Sequence, residues 1–433
     1  MTAPGLILAA PSSGSGKTVT VLALLRHFRK AGVNVASRKV GPDYIDPMFH
    51  TAASGRPCIN LDPWAMRPGT LTGLADENAD LLIVEGVMGL FDGAADGTGS
   101  TADLAALTGW PVVLVLDVKS QAQSAAALVH GFASFRSDIK VSGVILNRVG
   151  SPNHEAMIRT ALAPLGIPVL GALPRLEALA LPDRHLGLVP AGEHDALEDF
   201  LDKAAVAVAR HIDTAALHSL ARPARFPSSA KLDCLPPLGQ RIAVARDAAF
   251  VFAYRHLLDG WRNQGAELLP FSPLADEPPS SHADSIYLPG GYPELHAGRL
   301  ASAARFLDGL RAAASRQIPI YGECGGYMVL GRTLEDADGV THPMAGLLPL
   351  DTSFAKRRLH LGYRRATTAT ATPFGPAGTP LRGHEFHYSS IAAEDTAQPL
   401  FHARDARGTD LGVLGTVSGS VMGSFLHIVD RAE

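Results

Sequence analysis

Two short segments of this chain hold residue types whose spacing points to chemistry. The first reads Ala10-Pro11-Ser12-Ser13-Gly14-Ser15-Gly16-Lys17-Thr18. It approaches the phosphate-binding pattern G-x-x-x-x-G-K-[ST], with Pro11 where the first glycine would stand. Gly14, Ser15 and Gly16 let backbone N–H groups turn onto phosphate oxygens, and the helix that follows adds the partial positive charge of its N-terminus. Lys17 is placed to reach β- and γ-phosphates, and Thr18 to ligate Mg2+. A Gly/Ser turn that only caps a helix is the plainer reading, but a strand before the loop and a helix after it favour the nucleotide. The second segment reads Tyr321-Gly322-Glu323-Cys324-Gly325-Gly326-Tyr327. A strand running into Gly-x-Cys-Gly-Gly and then a helical pattern is the thiol counterpart of the G-x-S-x-G nucleophile elbow. Free cysteines are often merely buried. Here the flanking glycines favour a nucleophile, with the helix N-terminus increasing its thiolate fraction.

Such a nucleophile needs a base. The chain has 17 His, so composition selects none. His427 lies just beyond the β-like run Val421–Leu426. His384 and His387 alternate and so share one face of a strand, but no third ligand stands at suitable spacing and no metal site is expected there. The backbone N–H groups of Gly291 and Gly325 are the candidates for an oxyanion hole. Acidic candidates gather near the first segment. Glu85 follows strand Leu81–Val84, where a carboxylate can hold Mg2+ through water. Asp43 and Asp46 stand three apart in Gly41-Pro42-Asp43-Tyr44-Ile45-Asp46-Pro47, and Asp92 and Asp96 in a second Gly-rich loop. By composition alone, ordinary turns suit these loops equally.

The elements that must position these residues follow from the apolar runs. Leu6–Ala9, Leu81–Val84, Val112–Leu116, Val141–Leu146 and Ile167–Leu170 suit strands buried on both faces. Helical stretches lie between them, among them residues 121–135. The alternation predicts an α/β fold with a parallel sheet. A helix is expected over 197–212 and a Pro- and Ser-rich linker over 214–240. A second α/β unit then begins at Arg241–Ala245, with strands at Glu267–Phe271, Ile286–Leu288 and Ile318–Tyr321. The expected domains are therefore 1–195, a helix and linker over 196–240, and 241–433.

Composition narrows the class. The 433 residues carry a net charge of −4, without the basic excess of a nucleic-acid binder. With 46% hydrophobic and 18% charged residues the chain is not a disordered one. No apolar run reaches the roughly 18 residues of a membrane span. The apolar start lacks a basic n-region and reads as a first strand rather than a signal peptide. Three scattered cysteines without a C-x-x-C pair argue against a disulfide framework and for the cytoplasm.

Together these segments resemble the cobyrinic/hydrogenobyrinic acid a,c-diamide synthases of cobalamin biosynthesis. The resemblance also rests on Asn60-Leu-Asp-Pro-Trp64, the run from Glu85 to Gly93, Ala245–Phe250, Leu288–Glu294 and Gly383–Ser389. The residues from Gln121 on, His185-Leu-Gly-Leu and His360-Leu-Gly-Tyr-Arg lean toward the metal-free, hydrogenobyrinate branch. The cobalt-bearing substrate is the alternative. The resemblance implies a P-loop, dethiobiotin-synthetase-like synthase domain followed by a class I glutamine amidotransferase domain. It implies ATP and Mg2+ at Lys17 and Thr18, and adenine recognition by Asn147. Metal binding and carboxylate activation fall to Asp43, Asp46, Glu85 and Asp92, and substrate contact to Tyr44 and Ile45. Cys324 would be the glutaminase nucleophile and His427 its base. The wider class has His-x-Glu, whereas His427 precedes Ile428-Val429, so the third triad member stays unassigned. Corrinoid, glutamine and ATP are the implied partners, with a homodimer as a candidate assembly. The basic run Lys356-Arg357-Arg358-Leu359-His360, with Arg364 and Arg365, would suit such a polyanion. It reads equally as a solvated edge. A switch ATPase with an inactive second domain lacks a use for the cysteine elbow, and a pure tetrapyrrole-binding module lacks one for either segment.

Overall fold

The apolar runs of the first half form one sheet because strands buried on both faces need cover from helices on each side. The computed structural model describes residues 3–175, 183–184, 187–188, 191–193, 196–225 and 234–432. His185 and residues 226–233 of the expected linker lie outside them. The chain divides into two units, Met1–Trp64 with Pro68–Leu232 and Ala65–Arg67 with Asp233–Glu433.

In the first unit, β1 (Gly5–Ala9) leads into α1 (Lys17–Lys30), β2 (Val35–Val40), α2 (Asp46–Ser54) and β3 (Ile59–Leu61). β4 (Leu81–Glu85), β5 (Val112–Asp117), β6 (Val141–Val149) and β7 (Val169–Pro174) follow. They pair in the order β3-β2-β4-β1-β5-β6-β7, every pairing parallel. The strand order reverses beside β1, between β4 and β5. Ligands of such sheets bind outside the carboxyl ends of strands at that point. Register sets the neighbours there: Glu85 lies opposite both Leu8 and Lys39, and Asp117 opposite Asn147.

Strands β2 and β3 escape a reading by apolar runs. β2 carries Ser37, Arg38 and Lys39, all buried. Burial of Arg38 is tolerated because its guanidinium donates to Leu74 O and to Glu77, both at 2.8 Å. The last predicted strand of this half falls two residues later than expected, at Val169–Pro174. Residues 197–225 belong to the first unit instead of forming a free connection. Helix Leu197–His211 lies on α1, where Arg26 pairs with Glu198 and Asp202, each at 2.6 Å. Helix Thr214–Leu220 is capped by Asp213, and Arg222 exchanges both backbone hydrogen bonds with Gly5. Backbone pairing of that kind is invisible to composition.

The second unit is built on a ten-stranded sheet. Its parallel part orders Glu267–Phe271, Arg241–Ala245, Ser285–Leu288, Ile320–Glu323 and Val421–Ser424. An antiparallel part continues through Asp410–Ser418, Pro399–Asp405, His360–Thr368 and Pro380–His387 to His427–Arg431. Val421–Ser424 and His427–Arg431 are separated by only Phe425-Leu426, yet they stand far apart in the strand order. The sheet must therefore curl, and the turn delivers His427 beside the Cys324 elbow. Leu288, Phe306, Leu310, Tyr327, Leu330 and Phe425 pack beneath it. Among the described residues no helix is long and apolar enough to cross a membrane.

Candidate functional site

At the carboxyl end of β1 the chain turns through the Gly14–Gly16 loop. Gly14 and Gly16 have φ of 78° and 83°, left-handed values that L side chains rarely adopt. Gly16 is doubly required, since a Cβ there would stand 2.1 Å from Asn147 Nδ2. That Nδ2 donates to Ser15 O at 2.9 Å, so Asn147 braces the loop from β6. Arg148, next to it, donates to Gly14 O at 3.1 Å and pairs with Asp117 at 2.6 Å. Lys17 opens α1 and donates to Met88 O at 2.9 Å. Burial, and then the neighbouring Lys39 ammonium, lower its pKa to about 8.

Below the loop lies a buried charge cluster. Thr18 Oγ1 donates to Glu85 Oε1 at 2.6 Å and reaches Asp46 Oδ2 at 3.4 Å. Lys39 Nζ donates to the same two carboxylates at 2.8 and 2.5 Å, and Asp43 Oδ2 lies 3.9 Å from it. His50 Nε2 meets Glu85 Oε2 at 2.6 Å, and its Nδ1 faces Cys58 Sγ at 3.5 Å. Burial opposes charge on Lys39, Asp46, His50 and Glu85, and partners outweigh it at all but Asp46. For Glu85, Lys39 and His50 outweigh burial and hold its carboxyl well below the usual range. Asp46 is the weaker acid, pushed up to about 7 by burial and by Asp43. His50 is carried up to about 10 against burial by Cys58 and Glu85.

Asp43, Asp46, Glu85 and Thr18 thus converge, but not equivalently. Asp43 Oδ1 accepts from the backbone N–H groups of Ile45 and Asp46 at 2.8 and 3.0 Å and shapes the entry to α2. Tyr44 is half-buried and Ile45 buried at that turn. Asp92 is exposed. Its carboxylate accepts from Gly89 N at 2.9 Å and closes its own loop, which lies against the phosphate loop through Leu90 N to Ala10 O at 2.9 Å. Sequence reasoning missed Lys39 and His50. Lys39 sits in a strand that its own charge disguises, and only the register with Glu85 makes it a neighbour.

In the second unit Cys324 follows strand Ile320–Glu323 with φ 50° and ψ −101°, and it caps helix Gly325–Leu330. This is a strained backbone for a non-glycine residue. It is anchored by Cys324 N donating to Ser424 O at 2.8 Å. Cys324 is 3% exposed. The Cys324 and His427 side chains both border Gly290. Burial opposes the imidazolium, but Cys324 and then Glu323 raise the His427 pKa to about 10. His427 Nδ1 lies 3.1 Å from Glu323 Oε1. Gly290 leaves room for the pair: a Cβ there would fall 2.6 Å from His427 Cε1 and 3.4 Å from Cys324 Cβ. A Cβ on Gly325 would fall 3.0 Å from Gly291 N, so these two backbone segments adjoin beside the thiol.

His384 and His387 are otherwise engaged. His384 stacks on His427 with ring centroids 4.9 Å apart, and its Nε2 meets Tyr254 OH at 2.7 Å. His387 lies between His360 and Phe425, with centroids 4.7 and 4.0 Å away. Arg364 of the basic run pairs with Glu385, while Lys356, Arg357 and Arg358 are exposed. Among the described residues no group of three His, Cys, Asp or Glu side chains is arranged to hold a metal.

Comparison with known proteins matches both halves. Residues 6–189 fit a CobQ/CobB/MinD/ParA nucleotide binding domain, and residues 241–432 a CobB/CobQ-like glutamine amidotransferase domain. A protein of Brucella suis named hydrogenobyrinate a,c-diamide synthase is 59% identical over 431 residues, 98% of each chain. Proteins of the same name from Rhizobium meliloti and Rhodobacter capsulatus are 55% and 54% identical. The first covers 99% of this chain and 100% of its own, and the second 98% of each.

Proposed function

Because the chain belongs to the family of hydrogenobyrinate a,c-diamide synthases, we propose that it amidates the a and c acetate carboxylates of hydrogenobyrinic acid, using ATP and glutamine. The observation that carries this reading is the Cys324 elbow with His427 beside it, in the same chain as the Lys17 phosphate loop.

A carboxylate is a poor acceptor for ammonia, and activation removes that obstacle. A carboxylate oxygen of the substrate attacks the γ-phosphorus of ATP, ADP leaves, and an acyl phosphate forms. Lys17 offsets charge on the phosphates, and Asn147 keeps the loop that cradles them in shape. Ammonia then attacks the acyl carbon and phosphate departs. Tyr44 and Ile45 flank the substrate, and Asp43 and Asp92 shape the loops around it. The hard oxygen donors Thr18, Asp46 and Glu85 fit Mg2+ better than any softer metal. When bound, the ion would neutralise phosphate charge. Both carboxylates are shared with Lys39, so the ion would need oxygens from the nucleotide as well.

Ammonia comes from glutamine. The Cys324 thiolate attacks the side-chain amide carbon, and the N–H groups of Gly291 and Gly325 receive the developing oxyanion. His427 gives its proton to the leaving nitrogen. Water, deprotonated by His427, then cleaves the thioester to glutamate. The cytoplasm, where thiols stay reduced, suits this chemistry.

Mass spectrometry tests the reading. The full chain is incubated with ATP, Mg2+, glutamine and either the metal-free or the cobalt-bearing corrinoid. Two successive acid-to-amide changes on the metal-free substrate are expected. Change on the cobalt form alone would reassign the substrate, and no glutamine-dependent change on either would overturn the reading.

A further inference from the structure

The histidine of the elbow lacks the acid that the wider class places two residues after it, since that position is Val429. Asp430, one residue further, receives Arg67: Nη2 donates to Oδ1 at 2.8 Å and the backbone N to Oδ2 at 3.0 Å. The acid that does meet the imidazole comes from another strand. We infer that Glu323, the residue immediately before the nucleophile, is the positioning carboxylate that fixes the ring orientation and tautomer of His427.

Four donors hold Glu323 in place. Its Oε1 faces His427 Nδ1 at 3.1 Å and accepts from Tyr287 OH at 3.1 Å. Its Oε2 accepts from Tyr321 OH and from Ile428 N, both at 3.2 Å. The side chain is 1% exposed, so water does not compete for these bonds. Both phenols are buried beside the carboxylate, which drives their pKa values well above the ordinary tyrosine range and keeps them donors. With Nδ1–H on the carboxylate, Nε2 is left for the thiol. That is the division of labour of an acid–imidazole–nucleophile triad, here assembled from adjacent residues of one elbow and a histidine from a distant strand. Of the other groups around His427, His384 stacks on it and is kept neutral by burial and by the His427 charge itself. Arg364 adds to that effect and is paired with Glu385. Glu323 is thus the carboxylate that bonds the ring.

This inference rests on the reading of Cys324 and His427 as a glutaminase pair. The test uses the full chain and its Glu323→Gln variant, which keeps the volume and removes the charge. Glutamine hydrolysis should lose about 10–100-fold in kcat, with KM held within about threefold. Synthesis supported by added ammonia reports whether the variant is folded. In histidine-15N NMR of the parent, with His427 assigned by its loss in His427→Asn, Nδ1 should carry the proton. The His427 titration midpoint should fall by about one pH unit or more in Glu323→Gln. An active parent beside a folded variant with unchanged kcat and midpoint would overturn the inference. So would a parent whose His427 Nδ1 carries no proton, whether or not the variant folds. A parent that hydrolyses no glutamine would instead bring down the glutaminase reading, and this inference with it.

Discussion

At the scale of single residues, burial lowers proton affinity in both sites, and the neighbouring charges set the opposite outcomes. Lys17 is buried near another ammonium, and its proton affinity falls from 10.5 to about 8. The folded state therefore binds fewer protons than the unfolded one between about 8 and 10.5, and stability gains from this residue as pH rises through that window. The anionic phosphates of ATP reverse the shift. Binding of Mg2+-ATP near pH 9 should therefore take up a proton, seen as a dependence of the calorimetric enthalpy on buffer ionisation heat. Lys17→Ala should remove that dependence. His427 is shifted the other way, its imidazolium stabilised by Cys324 and Glu323 to about 10. That contribution to stability is complete below the unfolded pKa near 6.5 and is lost as pH rises through about 10.

At the scale of elements, parallel register turns isolated polar residues into a cluster. Lys39 on β2 and Glu85 on β4 face each other, and α2 begins with Asp46 within 2.5 Å of the same ammonium. Lys39→Met would leave two buried carboxylates without their shared counter-charge. It should destabilise the chain by about 3–5 kcal/mol, read as a lower urea midpoint. The loop between β1 and α1 depends on backbone freedom instead. Gly16→Ala places a methyl group against Asn147 and forces a left-handed backbone on alanine. Mg2+-ATP affinity should weaken by about tenfold or more in titration calorimetry.

At the scale of the whole molecule, two chemistries share one chain, and variants should separate them. Cys324→Ala should abolish amide formation from glutamine while ammonia still supports it. Lys17→Ala should abolish amide formation from either nitrogen donor, because activation of the carboxylate fails. Assays with both donors check this pattern. Glutamine-dependent synthesis by Cys324→Ala would remove the nucleophile, and unimpaired synthesis by Lys17→Ala would remove the phosphate-loop role.

What the amino-acid sequence determined alone was local. Gly16-Lys17-Thr18 and Gly322–Gly326 each act through backbone turns of a few residues, so their glycines announce them without any tertiary information. The buried strands β1, β4, β5 and β6 were equally legible, since unbroken Val, Ile and Leu runs have few other places to go. Lys39, His50 and Glu323 were not legible in these roles. Each is an ordinary polar residue by type, and its partner stands 35 to 104 residues away in the chain. Only strand pairing and the curl of the second sheet bring Glu85 to Lys39 and His50, and His427 to Glu323. The bonds that hold such charges in place are strengthened where water is excluded around them, which is a property of the packed fold and not of any segment.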